Sequence, residues 1–157
     1  MIHQIIEAVT KKYHDRPERL NHIKGVVQMA EKLALHYHEN PEDAVLAAWM
    51  HDYTKFDDIK DQIRYIDLSV VKKYTDYPVI YHAYSAASLL EIEFGIKNNR
   101  IQDAIRYHVW GRVQMTKLDK IILLADKIEP TRKYEGIDIL RKVAFENLDQ
   151  ALIMMLE

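Results

Sequence analysis

The sequence predicts an all-α fold, a helical bundle, because glycine and proline are scarce, apolar residues recur at helical spacing, and capping motifs separate the apolar segments. Only four glycines and four prolines occur in 157 residues, although strands need both residue types at their turns. No low-complexity linker, composition shift or repeat divides the chain. We therefore expect one domain spanning residues 1–157.

The first part of the chain predicts three helices. An apolar stripe at helical spacing runs through residues 2–13. The second helix begins near Pro17, because proline is tolerated in a first helical turn, and its apolar face continues to about His38. Asn40-Pro41 then provides an N-cap and a first-turn proline, which predicts a third helix carrying residues 44–53.

The later helices are predicted from start and stop signals. Gly95 ends one helix, Thr116 and Asp119 form a capping box that opens another, and Glu129-Pro130 breaks that helix. Residues 54–78 are polar and indicate only short helices. The predicted helices of this part are Asp57–Tyr65, Leu68–Tyr74, Val79–Phe94, Asn99–His108, Lys117–Ile128, and Ile137 to the end of the sequence.

Charge and composition argue against several classes of partner. The net charge of −2 and the isoelectric point near 6.4 give no field suited to a nucleic-acid backbone. No apolar run approaches the roughly 20 residues of a membrane span, and the first residues lack the order of a signal peptide, so the cytoplasm is expected. Without cysteine, a metal ion would have to be held by His, Asp and Glu.

Two His-Asp pairs occur in very different settings. His14-Asp15 lies among charged residues and is expected at the surface. His51-Asp52 follows an apolar segment that predicts a helix buried nearly all round, where an unpaired carboxylate would cost several kcal/mol. A buried hydrogen-bonded network and a metal site both satisfy that need. Because helical neighbours point about 100° apart, we expect the pair to serve two ions rather than chelate one.

Four further residues with metal-ligand chemistry occupy comparable settings on other predicted helices. A lone histidine on an apolar face is more often a satisfied core residue, but six such residues together favour a two-metal site. Imidazole and carboxylate ligands suit Fe, Mn or Zn. The complete candidate set is His22, His51, Asp52, His82, His108 and Asp126. The remaining histidines, His3, His36 and His38, are expected at the surface.

Several cations flank these candidates and could neutralise phosphate oxygens. They are Lys55, Arg106, Arg112 and Arg132. Solvated surface charge is the alternative for each of them. Trp110 could stack on a nucleobase, although a core or hinge aromatic is the alternative interpretation.

The order His22, His51-Asp52 and Asp126 resembles the HD-domain superfamily of metal-dependent phosphohydrolases. A narrower resemblance, from about Arg19 to Leu152, is to the YqeK family of symmetrical bis(5'-nucleosyl)-tetraphosphatases. The segments that carry it are His51-Asp52-Tyr53-Thr54-Lys55, Ala104-Ile105-Arg106-Tyr107-His108, Gly111-Arg112, Leu118-Asp119-Lys120-Ile121 and Ala125-Asp126-Lys127-Ile128-Glu129-Pro130.

This resemblance implies an HD-domain bundle that hydrolyses diadenosine tetraphosphate to two ADP at a di-iron or similar bimetallic centre. The six candidates would be the metal ligands, with Asp52 bridging the two ions. Asp52 and Lys55 would be catalytic, and the polyphosphate would be held by Arg19, Lys55, Arg106, Arg112 and Arg132. Whether the chain forms a homodimer stays open.

The chain departs from the family pattern at a few positions. Ala83 and Thr131 stand where glycine is usual, Val109-Trp110 replaces a pair of threonines, and Asn21 replaces a common acidic residue. None of these changes removes a candidate ligand, but they bear on substrate contacts. The alternatives are another HD-domain nucleotidase, a catalytically weak nucleotide-binding module, or a helical interaction domain with a buried His/Asp network.

Overall fold

The computed structural model describes residues 2–157, and within that range it contains ten α-helices and no strand. An additional short 3₁₀ helix, Pro78–Ile80, leads directly into α6. The α-helices are α1 Ile2–Lys12, α2 Pro17–His36, α3 Pro41–Met50, α4 Ile59–Ile63, α5 Leu68–Lys73, α6 Tyr81–Phe94, α7 Asn99–Arg106, α8 Lys117–Ile128, α9 Ile137–Ala144 and α10 Leu148–Leu156.

The capping signals operate where the sequence predicts them. The Asn40 side chain accepts hydrogen bonds from the backbone N–H groups of Glu42 and Asp43. Gly95 ends α6 in the left-handed conformation, with φ of 68°. Thr116 and Asp119 form the reciprocal capping box at the start of α8. The predicted all-α class and these helix boundaries are therefore confirmed.

Several predicted helices differ from the structure, and those expected to reach His38, Tyr65 and His108 end at His36, Ile63 and Arg106. The helix expected through Tyr53 ends at Met50, so that His51 and Asp52 lie in the turn that follows α3. The final helix is interrupted between α9 and α10, because the Asn147 side chain accepts from the backbone N–H of Gln150 and starts a new helix.

The core forms where α2, α3 and α8 pack together, and α6 packs on α7 beside them. Helix α8 is buried along most of its length, including Leu118, Ile122 and Leu124. This arrangement directs side chains from five separate parts of the chain toward one interior position. Within residues 2–157, no helix is both long and apolar enough to cross a membrane.

Candidate metal centre

The structure brings the six candidate side chains into one buried cluster. His22 comes from the second turn of α2, His82 from the first turn of α6, and Asp126 from the last turn of α8. The other three lie in turns, His51-Asp52 after α3 and His108 after α7. Each of the six residues is at most 7% exposed.

The potential ligand atoms form two groups that share Asp52. The first contains His22, His51, Asp52 and Asp126, and the second contains Asp52, His82 and His108. The two carboxylate oxygens of Asp52 face different groups. Its Oδ2 lies 3.6 Å from His22 Nε2 and 3.4 Å from His51 Nε2. Its Oδ1 lies 3.5 Å from His82 Nε2 and 3.7 Å from His108 Nε2.

Asp126 completes the first group. Its Oδ1 lies 3.0 Å from His22 Nε2 and 3.5 Å from His51 Nε2. The expectation that His51 and Asp52 point too far apart to meet at one ion is wrong. Because α3 ends before them, the turn brings the His51 imidazole and one Asp52 oxygen into the same group.

All four histidines direct the same ring atom toward the cluster. Each Nδ1 lies within hydrogen-bond distance of an oxygen acceptor, so Nδ1 carries the proton and a neutral ring leaves Nε2 with a free lone pair. Three acceptors are backbone carbonyls three residues earlier, of Ala48, Val79 and Ile105, at 2.6 to 2.7 Å. The acceptor for His22 is different: Glu129 Oε2, at 2.6 Å.

Glu129 is a buried residue whose role the sequence did not reveal. Its Oε2 also accepts from the Thr131 hydroxyl at 2.7 Å, and its Oε1 accepts from the Thr131 backbone N–H at 2.6 Å. A Cβ at Gly25 would lie 2.5 Å from Glu129 Oε1, so only glycine on α2 leaves room for this carboxylate. The glutamate in the helix-breaking Glu129-Pro130 pair was the available signal.

Burial and neighbouring charge perturb the ionisable groups of the cluster. Burial alone would raise the pKa of Asp52, but His51, His108 and His82 outweigh it and hold that pKa well below the usual range. Asp126 behaves similarly, since the neighbouring His22 and His51 outweigh burial and lower its pKa. Both carboxyl groups are therefore ionised at neutral pH in an interior that disfavours isolated charge.

The donor atoms fit metal cations better than they fit one another. The Nε2 atoms of His22 and His51 are buried and have no hydrogen-bond partner. The Nε2 atoms of His82 and His108 face each other at 3.3 Å, although both rings donate through Nδ1. Two buried carboxylates together with four converging lone pairs are chemically suited to divalent cations.

Three cations contact the carboxylates of the cluster. Arg19 donates to Asp52 Oδ2 at 3.0 Å, and Lys127 lies 3.1 Å from Asp126 Oδ2. Arg132 donates to the Asp126 carbonyl at 2.7 Å, and its terminal nitrogen lies 3.4 Å from Asp126 Oδ1. Arg19 and Arg132 also line an open cavity of about 270 Å³ that reaches His22. The sequence prediction did not include Lys127.

The other predicted phosphate contacts lie elsewhere. Arg112 pairs with the buried Asp119 at 2.9 Å, and Arg106 pairs with Asp103. Within residues 2–157, neither arginine makes a hydrogen bond or an ion pair with the six-residue cluster. Lys55 follows Asp52 in the same turn and is half-buried, and its backbone N–H donates to the Asp52 carbonyl at 3.1 Å. Their contact with phosphate stays a prediction.

The remaining histidines lie where the sequence analysis expects them. His14 and Asp15, the second His-Asp pair, are exposed at the end of α1. His3, His36 and His38 are exposed as well. The same dipeptide therefore occurs once at the surface and once at the centre of the fold.

Comparisons with known proteins agree with this architecture. The family model described as the HD domain matches residues 19–131. The chain is 38% identical over 141 residues to the symmetrical bis(5'-nucleosyl)-tetraphosphatase of Bacillus subtilis (strain 168), covering 88% of this chain and 76% of the relative. It is 36% identical over 151 residues to the protein of the same name from Halalkalibacterium halodurans, covering 92% and 79%.

A solved structure shares the whole fold. It is the crystal structure of a predicted HD superfamily hydrolase involved in NAD metabolism from Clostridium acetobutylicum. The TM-score is 0.90 at 30% sequence identity, and the match covers 99% of this chain and 82% of the other.

Proposed function

We propose that this chain, which belongs to the HD-domain family and to the symmetrical bis(5'-nucleosyl)-tetraphosphatases within it, hydrolyses diadenosine tetraphosphate to two ADP. The observation that carries the proposal is the pair of ligand groups joined through Asp52. A carboxylate whose two oxygens face two sets of imidazoles is suited to hold two cations side by side. We take residues 1–157 as one catalytic domain located in the cytoplasm.

Each group would hold one metal ion. His22, His51, Asp126 and Asp52 Oδ2 would hold the first, and His82, His108 and Asp52 Oδ1 would hold the second. The second group offers only three protein atoms and so leaves coordination positions open, as catalytic sites do. Two bound ions would supply Lewis acidity to the phosphoryl group and to the attacking water. We infer iron as the native metal, with manganese or zinc as ions that the same donors accept.

Arg19 and Arg132 are the cations best placed to hold the tetraphosphate. Both contact a carboxylate of the cluster and both line the cavity beside His22. Guanidinium groups pair with phosphate oxygens through two parallel N–H donors, which gives them orientation as well as charge. Lys55, from the turn that carries Asp52, and Arg106 and Arg112 would contact the outer phosphates.

Asp52 is the proposed catalytic carboxylate. Arg141 is the proposed positioning residue for the turn after α8, which carries Arg132. The Arg141 guanidinium donates to the carbonyls of Ile128, Glu129 and Arg132 at 2.8, 2.8 and 3.1 Å. These bonds fix the turn after α8, in which both Glu129 and Arg132 lie. Preorganised contacts of this kind hold the reacting groups in place without further ordering on binding.

The direct test is product analysis with metal-loaded protein. Purified protein supplied with Fe²⁺ or Mn²⁺ is expected to release ADP alone from diadenosine tetraphosphate, whereas asymmetrical cleavage would release AMP and ATP. Asp52→Ala is expected to abolish release. Asp15→Ala is the matched control, because it alters the same dipeptide at an exposed position. An inactive metal-loaded wild type, or an active Asp52→Ala variant, would refute the proposal.

A further inference from the structure

A second feature, separate from the six-residue cluster, is a group of three aromatic rings, two of them exposed. Trp110 is 45% exposed and Tyr77 is 58% exposed. Their ring centroids lie 5.6 Å apart at an interplanar angle of 77°, and Tyr74 lies 5.8 Å from Trp110. We refer to Tyr74, Tyr77 and Trp110 as the aromatic platform. Large apolar rings left open to solvent mark a binding surface more often than isolated aliphatic residues do.

The platform is attached to the two segments that carry the second ligand group. Trp110 follows His108 by two residues, which keeps their Cα atoms within about 7.6 Å. Tyr77 is the N-cap of the 3₁₀ helix Pro78–Ile80, which leads into the first turn of α6 and His82. The rings of His82 and His108 meet at 5.1 Å. The convergence that joins these two histidines therefore also joins Tyr77 to Trp110.

The backbone beneath the platform is held in place. The Gly111 N–H donates to the Tyr107 carbonyl at 2.8 Å, and Gly111 adopts a φ of 74°, so a left-handed residue closes the turn that carries Trp110. The Tyr77 N–H donates to the Tyr74 carbonyl at 2.9 Å. Preformed rings lose little conformational entropy when they bind a flat ligand.

Two cations lie close to the platform, Lys73 and Arg106, and Arg106 is paired with Asp103. Lys73 Nζ lies 5.4 Å from the centroid of the Tyr74 ring. The centroid of the Tyr84 ring lies 6.3 Å from that of Tyr74. The Arg106 guanidinium lies 5.9 Å from the Tyr84 centroid. A flat ring suits this surface, while the negative charge of a nucleotide would be met by the cations at the metal centre.

We infer that Trp110, supported by Tyr77, stacks on one nucleobase of the dinucleotide while its phosphates reach the metal centre. This inference rests on the proposed function and identifies a base-recognition residue for it. Stacking on an aromatic side chain is tolerant of base identity, because every base presents a π face.

Tryptophan fluorescence tests the inference directly. The chain has two tryptophans, and Trp49 is only 7% exposed, so quenching by a ligand reports mainly on Trp110. Metal-loaded wild type should be quenched saturably by ADP but not by inorganic tripolyphosphate, which has phosphates and no base. Trp110→Phe should remove the saturable quenching.

Kinetics provide the second measurement. Trp110→Ala should raise KM for diadenosine tetraphosphate roughly tenfold, in line with the loss of one stacked base, and leave kcat within about twofold. Trp110→Phe, which keeps a ring, should recover most of the affinity. Val113→Ala is the matched control, because Val113 is an 89% exposed apolar residue three positions further on.

Two outcomes would overturn the inference. One is an unchanged KM for diadenosine tetraphosphate in Trp110→Ala, even if that variant changes the protein from a dimer to a monomer. The other is equal quenching by ADP and tripolyphosphate. Failure of the proposed function looks different: wild type would not cleave diadenosine tetraphosphate, whereas ADP would still quench Trp110.

Discussion

His22 and the other three histidines of the centre are oriented in different ways. His51, His82 and His108 each donate to the backbone carbonyl three residues earlier, a contact made within a single turn. His22 donates instead to the Glu129 carboxylate, 107 positions away in the chain. Three imidazoles are thus oriented by local backbone, and the fourth depends on how α2 packs against the end of α8.

The two ligand groups differ in how their histidines are oriented. The second group contains only histidines held by local backbone, together with one shared carboxylate. The first contains His22, His51 and two carboxylates, and a third carboxylate, that of Glu129, lies behind His22. A carboxylate acceptor strengthens a histidine ligand more than a carbonyl does, because it raises the basicity of the ring. We therefore expect the first group to hold its ion more tightly.

The largest expected effect is the difference between replacing Asp52, which both ligand groups share, and replacing Asp126, which belongs only to the first group. Asp52→Asn should lower the metal content from about two ions per chain to less than one, and reduce kcat at least about a thousandfold, because both groups lose charge. Asp126→Asn should reduce the content only to about one ion, because the second group keeps all its donors. Elemental analysis of the purified variants measures this difference.

Folding has to be checked in the same samples, since both carboxylates are buried. Circular dichroism of Asp52→Asn and Asp126→Asn should show the helical content of wild type. If the two folded variants keep the same number of ions, then Asp52 does not serve both groups.

The same contrast between local and distant contacts decides what could be predicted from the sequence. The capping signals at Asn40, Gly95 and Thr116 act within a few residues, and the structure places those helix boundaries as predicted. The Asn147 cap is equally local, but the apolar pattern from residue 137 onward masked it. The capping signal of Asn147 was present in the sequence, but the helical spacing of the apolar residues around it predicted one continuous helix.

The six clustered side chains could be identified because ionisable residues are rare in strongly apolar segments. Their division into two ligand groups could not be predicted, since it depends on α3 ending at Met50. The ion pair of Arg106 with Asp103 is local, since the two residues lie three positions apart on α7, whereas the pair of Arg112 with Asp119 crosses the loop between α7 and α8.

The second prediction removes the long-range contact and leaves the local ones intact. Glu129→Gln should weaken metal binding or lower kcat/KM by roughly 10- to 100-fold, the usual cost of losing a partner behind a histidine ligand. Titration with a chelator should release one ion earlier than in wild type and the other at the same chelator concentration. Two ions weakened equally would show that Glu129 does not act through His22 alone.

Glu93→Gln serves as the control for that experiment. Glu93 also accepts a hydrogen bond from a side chain, the Tyr53 hydroxyl at 2.8 Å, but it lies outside both ligand groups. The control should bind metal as wild type does. An equal loss of metal binding in Glu93→Gln would mean that the effect of Glu129→Gln comes from general destabilisation.

The smallest effect concerns the hydroxyl that supports Glu129. Thr131→Val keeps the branched shape of an exposed side chain but removes the donor 2.7 Å from Glu129 Oε2, and Thr131→Ser keeps that donor. One hydrogen bond contributes about 0.5–1.5 kcal/mol, so Thr131→Val should lose roughly two- to tenfold in affinity for the first ion, and Thr131→Ser should lose less. Chelator titration of both variants makes the measurement. Equal behaviour of valine and serine would mean that Glu129 is held well enough by the Thr131 backbone N–H, 2.6 Å from its Oε1.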